Sequence, residues 1–195
     1  MALKRVCVFS GSSAGVRPEY SAAAGALSLA LARRKLGLVF GGGRVGLMGI
    51  LADTLLAAGG EVIGVIPKGL ATKEVAHAGL SDLRVVDTMH ARKALMAQLS
   101  DGFIALPGGY GTLEEFCEIL TWAQLGIHRK PCGLLNVAGY FDPLLALFDH
   151  AVGEGFVGAA QRTLVLQDTD PDRLLEALAT FNPPHFKRWM EEKNT

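Results

Sequence analysis

An alternation constrains this chain more than any other feature. Short apolar runs rich in branched residues ("RVCVF", "LGLVF", "EVIGVIP", "LRVVD", "GFIAL", "KPCGLLN", "TLVLQD") are separated by longer stretches with helical patterning. Strands this apolar are buried on both faces, which calls for a parallel sheet with crossover helices on each side. Strands are expected over residues 5–9, 36–40, 61–67, 83–87, 102–106, 130–136 and 163–168. Helices are expected over 18–35, 46–60, 88–100, 112–126, 140–154 and 171–181. Pro18 suits a first helical turn, Gly59-Gly60 stops the second helix, and Pro67 halts the third strand. The pattern reads as a single Rossmann-like, doubly wound α/β domain over residues 1–182, followed by a C-terminal tail at 183–195.

A chain of 195 residues is long enough to bury a substantial core. No apolar run reaches the length of about 18 residues that crosses a membrane. The start, "MALKRVCVFSGSS", enters a strand directly rather than a signal-peptide pattern, so a soluble, cytoplasmic protein is expected. Lysine plus arginine (19) balances aspartate plus glutamate (19), so no global field favours nucleic acid or an acidic membrane. Cys7, Cys117 and Cys132 lack ligand spacing; Cys7 and Cys132 read as buried thiols, and no metal site is expected.

In doubly wound sheets, ligands bind beyond the carboxyl ends of the strands, where the strand order reverses. Four loops leave those ends: "SGSSAG", "GGGRVGLMG", "PKGLATKEVAH" and "PGGYGT". Gly41, Gly43 and Gly46 satisfy a formal G-x-G-x-x-G, yet the acid about 20 residues on, Glu61, opens the next strand instead of closing it. That placement argues against NAD. Neither glycine loop carries the Gly-Lys-Ser/Thr of a Walker A motif. What remains is bare backbone N–H leading into helices, a geometry that favours phosphate, with tight structural turns as the alternative.

In "DTMHARKALM", Thr88 or Asp87 would cap a helix, leaving His90, Arg92 and Lys93 in its first turns. Cations there oppose the helix dipole, which a nearby anion would relieve; the alternative is that they snorkel to solvent. Thr112-x-x-Glu115 has the form of a capping box, so Glu115 reads either as a cap or as a carboxylate for chemistry beside a phosphate turn.

Taken together, these residues make the chain resemble the LOG ("lonely guy") proteins, the cytokinin riboside 5′-monophosphate phosphoribohydrolases. "PGGYGTLEE" matches their PGGxGTxxE signature, and "GGGRVGLMG", "MHARKALM" and "TWAQLGIHRKPCGLLNVAGYFDPLL" resemble further blocks of the family. The resemblance runs from the first strand to about Asp168. It implies hydrolysis of the N-glycosidic bond of a nucleoside 5′-monophosphate, without cofactor or metal. It also implies Arg92 and Glu115 as the catalytic pair. Substrate-binding residues would be Lys93, Gly108, Gly109, Tyr110, Gly111, Thr112, Leu113, Glu114 and Thr121, with Gly43, Gly46 and Glu74. Arg92 would either anchor phosphate or orient Glu115. A homodimer with the active site near the subunit interface is implied as well.

Some relatives carry a "lysine decarboxylase" label, but no lysine here has a context suited to a pyridoxal Schiff base. Molybdenum-cofactor carriers resemble this fold too, and they have no evident need of the Arg92–Glu115 pair. A DNA-binding relative is disfavoured by the zero net charge and the lack of a basic stripe.

Overall fold

The computed structural model describes residues 3–71, 76–80 and 82–184. Chain order runs β1 (Arg5–Phe9), α1 (Pro18–Arg33), β2 (Gly37–Phe40), α2 (Gly46–Ala57), β3 (Val62–Pro67), β4 (Asp82–Val86) and α3 (Met89–Leu99). It continues through β5 (Gly102–Ala105), α4 (Tyr110–Gln124), β6 (Cys132–Leu135), α5 (Asp142–Gly153), a one-turn α6 (Ala159–Arg162), β7 (Val165–Asp168) and α7 (Pro171–Thr180). These strands form one parallel sheet in the order β4-β3-β2-β1-β5-β6-β7. The expected fold class is therefore observed.

The pleat of β1 explains why both sheet faces are covered. Val6 and Val8 enter one apolar cluster, with Leu27 and Leu31 of α1, Leu51 and Leu55 of α2 and Leu174 of α7. Cys7 and Phe9 point the other way, towards Met96 of α3, Phe116 and Ile119 of α4 and Leu145 of α5. Burying each such leucine stabilises the fold by roughly 2 kcal/mol. Cys7 and Cys132 are buried thiols, as expected, while Cys117 is half-buried.

Strand order reverses between β1 and β5, and the two loops leaving that point stay paired. The Leu106 N–H donates to the Phe9 carbonyl at 2.9 Å, and the Gly11 N–H donates to the Pro107 carbonyl at 3.1 Å. A cleft therefore opens directly above the reversal. Glu61 lies at the opposite, amino end of the sheet, where Arg5 grips it through Nε and Nη2 at 2.7 and 2.8 Å. It stands far from the glycine loop after β2.

Two sequence expectations need correcting. α4 begins at Tyr110 rather than Thr112, because Gly109 takes the extended N-cap conformation (φ −89°, ψ −155°). Thr112 consequently lies inside the helix and the capping box does not form. The side chain of Glu115 goes to Arg92 instead, since a buried charge needs an ionic partner more than the chain needs a reach-back cap. At α3 the expected cap does form: the Thr88 hydroxyl accepts from the Ala91 N–H at 3.0 Å.

Candidate active site

The cleft above the β1/β5 reversal encloses about 340 Å³ between Gly11–Gly15, Pro107–Gly109, Leu47 at the start of α2, and the rings of Tyr20 and Tyr140. The two rings meet edge-on at 5.8 Å. The Tyr140 hydroxyl donates to the Gly108 carbonyl at 2.5 Å, fixing the glycine turn from outside. At Gly109 and Gly111 an added Cβ would meet nothing within 4 Å, so the first turn of α4 presents bare backbone to open space. Its leading N–H groups have no intrahelical acceptors and carry the positive end of the helix dipole, a setting made for an anionic group. Gly108 faces inward: a Cβ there would sit 2.1 Å from the hydroxyl of buried Thr112 and 2.8 Å from the Gly11 nitrogen.

Six residues beyond Gly109, about 9 Å along the helix axis, Glu115 turns towards the carboxyl end of the sheet. Its Oε1 accepts from Arg92 Nη1 at 2.5 Å, and both side chains are about nine-tenths buried. Arg92 also donates from Nε to the Val65 carbonyl of β3 at 3.1 Å. Burial raises the carboxyl pKa of Glu115 above its usual 4.5, and the positive charge of Arg92 opposes that rise. Nearby Cys7 is held protonated, by burial first and by the charge of Glu115 second.

Lys93, next to Arg92, does not reach the cleft wall. Its ammonium is buried between Glu114 and Glu118, bonding the first closely and the second at 3.1 Å. Burial opposes its charge, but the two carboxylates outweigh that and lift its pKa above the usual value. It joins α3 to α4 next to the Arg92–Glu115 pair.

The remaining expected residues divide between the cleft and its surroundings. Tyr110 is 94% exposed at the helix start, and Leu113 packs on the sheet-facing core. Gly46 heads α2 with φ +58°, its Cα against the Ser12 backbone, and Gly43 pairs with Ala76 in an isolated antiparallel bridge. That bridge is extended by the His77 N–H donating to the Gly42 carbonyl at 2.9 Å and by a 2.8 Å contact between buried His77 and Asp53. Thr121 lies elsewhere, exposed on α4, where its hydroxyl donates to the Cys117 carbonyl at 2.7 Å beside a separate cavity of about 180 Å³. Glu74 lies outside the described residues. Tyr20 and Tyr140 were missed by sequence reasoning, because an isolated tyrosine carries no spacing signal. Among the described residues no group of three or more His, Cys, Asp or Glu side chains could hold a metal ion.

A parallel doubly wound sheet with glycine turns at the order reversal, and a buried Arg–Glu pair with its carboxylate on the helix that follows one of them, defines a Rossmann-like α/β protein. Comparison with known proteins makes this specific. Residues 48–178 match the family model described as "Possible lysine decarboxylase". The chain is 51% identical, over 93% of its length and 81% of the relative's, to a probable cytokinin riboside 5′-monophosphate phosphoribohydrolase, LOGL1 of Oryza sativa subsp. japonica. It is 49% identical, over 92% and 83%, to the cytokinin riboside 5′-monophosphate phosphoribohydrolase LOG7 of Arabidopsis thaliana. The chain belongs to this LOG family.

Among solved structures, the molybdenum cofactor binding protein of Rippkaea orientalis superposes with a TM-score of 0.67 at 24% identity, covering 90% of this chain and 95% of that one. The molybdenum cofactor carrier protein of Chlamydomonas reinhardtii gives 0.67 at 22% identity, covering 89% and 95%. At that identity the likeness is one of fold.

Proposed function

We propose that this protein hydrolyses the N-glycosidic bond of adenosine 5′-monophosphate and its N6-substituted derivatives, releasing free base and ribose 5-phosphate. The observation that carries this reading is the buried Glu115 carboxylate, clamped by Arg92 one helical segment away from an open, anion-favouring turn. The turn at Gly108–Thr112 takes the 5′-phosphate, and that remote binding orients the ribose. As the bond from C1′ to the base nitrogen stretches, positive charge develops on the sugar and Glu115 stabilises it. A water oxygen bonds to C1′, the breaking bond's electron pair goes to the base nitrogen, and the proton lost by water ends on the departing base. Glu115, aligned for that water, is the natural relay.

Three further points belong to the same reading. The chain works as a homodimer, for which the exposed Met89 and Tyr110 at the first turns of α3 and α4 offer an apolar surface beside the site. It acts in the cytoplasm; among the described residues no helix is long and apolar enough to cross a membrane. Residues 1–182 form the catalytic domain and 183–195 a tail outside it.

The direct test incubates purified protein with AMP and with N6-isopentenyladenosine 5′-monophosphate and measures free base by chromatography. Release of adenine or isopentenyladenine is expected, and no base from either would overturn the hydrolase reading. A carrier of phosphorylated ligands, the other use of this fold, would bind AMP without cleaving it.

A further inference from the structure

The first glycine of the formal G-x-G-x-x-G after β2 occupies a demanding position. A Cβ built on Gly41 would fall 2.3 Å from Arg92 Nη2, 3.4 Å from Arg92 Cζ and 3.2 Å from the sulfur of Met48. The backbone does not account for glycine here, because Gly41 is not among the residues in the left-handed region, unlike its neighbour Gly42 at φ +73°. What excludes a side chain is the guanidinium itself. With Nε on the Val65 carbonyl and Nη1 on Glu115, the plane of Arg92 is fixed on two edges, and Nη2 fills the space a methyl group would need.

We propose that Gly41 is a positioning residue for the hydrolysis: its missing side chain leaves the recess in which Arg92 turns to hold Glu115. This rests on the function proposed above and adds to it a division of roles, with Arg92 acting on the carboxylate rather than on the phosphate. The group that would clash is the far end of a long side chain, so the protein can accept an alanine by letting Arg92 swing away. Folding is then spared while the geometry of Glu115 is lost, a separation that a packing glycine would not produce.

The test uses the full chain as wild type, Gly41→Ala, Arg92→Lys and the double variant. Gly41→Ala is expected to lower kcat for AMP about 100-fold, the effect of misplacing a catalytic group by about 1 Å, with KM nearly unchanged. Its thermal midpoint should stay close to that of the wild type. In the Arg92→Lys background, the same substitution should add little further loss, since its partner is already gone. Carbon-13 titration of the Glu115 carboxyl, assigned by its disappearance in Glu115→Gln, should shift to higher pH in Gly41→Ala. An unchanged titration, or equal losses in both backgrounds, would overturn the proposal. The titration also separates the two readings: if the wild type released no base, the function would fall, while the carboxyl shift would still decide the role of Gly41.

Discussion

Arg92 Nη1 and Glu115 Oε1 meet at 2.5 Å across the α3–α4 boundary, with both side chains about nine-tenths buried. A charge pair this far from water is costly to assemble and more costly to break. Its retention, with the carboxylate on the helix that follows the glycine turn, is better explained by chemistry than by stability. Its geometry leads to the first prediction. Glu115→Gln keeps the shape and the hydrogen bond but removes the charge, so turnover should fall about 10²–10³-fold. The fold should lose about 3–5 kcal/mol, because Arg92 is left as an unpaired buried charge. Free-base release and urea denaturation measure the two quantities separately.

The same pair sets an acid limit on activity. Burial raises the Glu115 carboxyl above its usual 4.5 despite Arg92, and the ionised form is the one that stabilises a ribosyl cation. The acid limb of kcat/KM should therefore lie above the ordinary glutamate range. Arg92→Gln should move it higher still, because the opposing positive charge is gone. If Arg92 instead anchored phosphate, the variant would mainly raise KM and leave the limb in place.

Lys93 offers a test of assembly. Lys93→Met would leave Glu114 and Glu118 facing each other at i, i+4 with no cation, and Glu118 already has one buried carboxylate oxygen without a partner. The cost should be roughly 2 kcal/mol, below the value for a fully buried pair because Glu114 is half exposed. Adding Glu118→Gln should restore part of the loss. Chemical denaturation of the two variants would show the order.

Glycines that look alike in the sequence should behave differently. Gly46 has φ +58°, and its Cβ would lie 2.4 Å from the Ser12 carbonyl carbon. Gly46→Ala therefore adds backbone strain of about 1–3 kcal/mol to an unavoidable clash with backbone, and should leave little folded protein. Gly111, inside the first turn of α4, has nothing within 4 Å of its added Cβ, so Gly111→Ala should stabilise by about 0.5–1 kcal/mol. If the phosphate uses that open turn, the same variant should raise KM for AMP.

His128 should make the fold sensitive to acid. Its Nδ1 accepts from the Lys130 N–H and its Nε2–H donates to the Ile119 carbonyl, at 3.1 and 2.9 Å. Burial lowers its pKa from 6.5 to about 4, opposed by the Ile119 carbonyl. Between those values the unfolded chain takes up a proton that the folded one refuses. Stability is then complete above pH 6.5 and declines as pH falls towards 4, by about 3 kcal/mol. Urea midpoints of wild type and His128→Asn across this window should converge as the pH drops.

Much of the fold was legible in the sequence because its signal is local. Strands buried on both faces must be apolar throughout, as "VCVF" and "VIGVIP" are, and Gly59-Gly60 and Pro67 punctuate wherever they stand. "PGGYGTLEE" likewise marked the turn, the helix and Glu115. The short α6 escaped, since one helical turn carries no periodicity.

The assignment of each residue within the site came only from tertiary contact. Thr112-x-x-Glu115 has the spacing of a capping box, yet a guanidinium 23 residues earlier in the chain takes the carboxylate, because a buried charge outcompetes a local hydrogen bond. Gly41, Gly43 and Gly46 have the spacing of a dinucleotide fingerprint, but each meets a different neighbour: Arg92, Ala76 and Ser12. Sequence determines where the chain can turn and which side chains must be buried. Which of those side chains meet depends on the order of strands in the sheet: α3, crossing from β4 at the sheet edge to β5 beside β1, lays Arg92 against Glu115 of α4 and against Gly41 after β2.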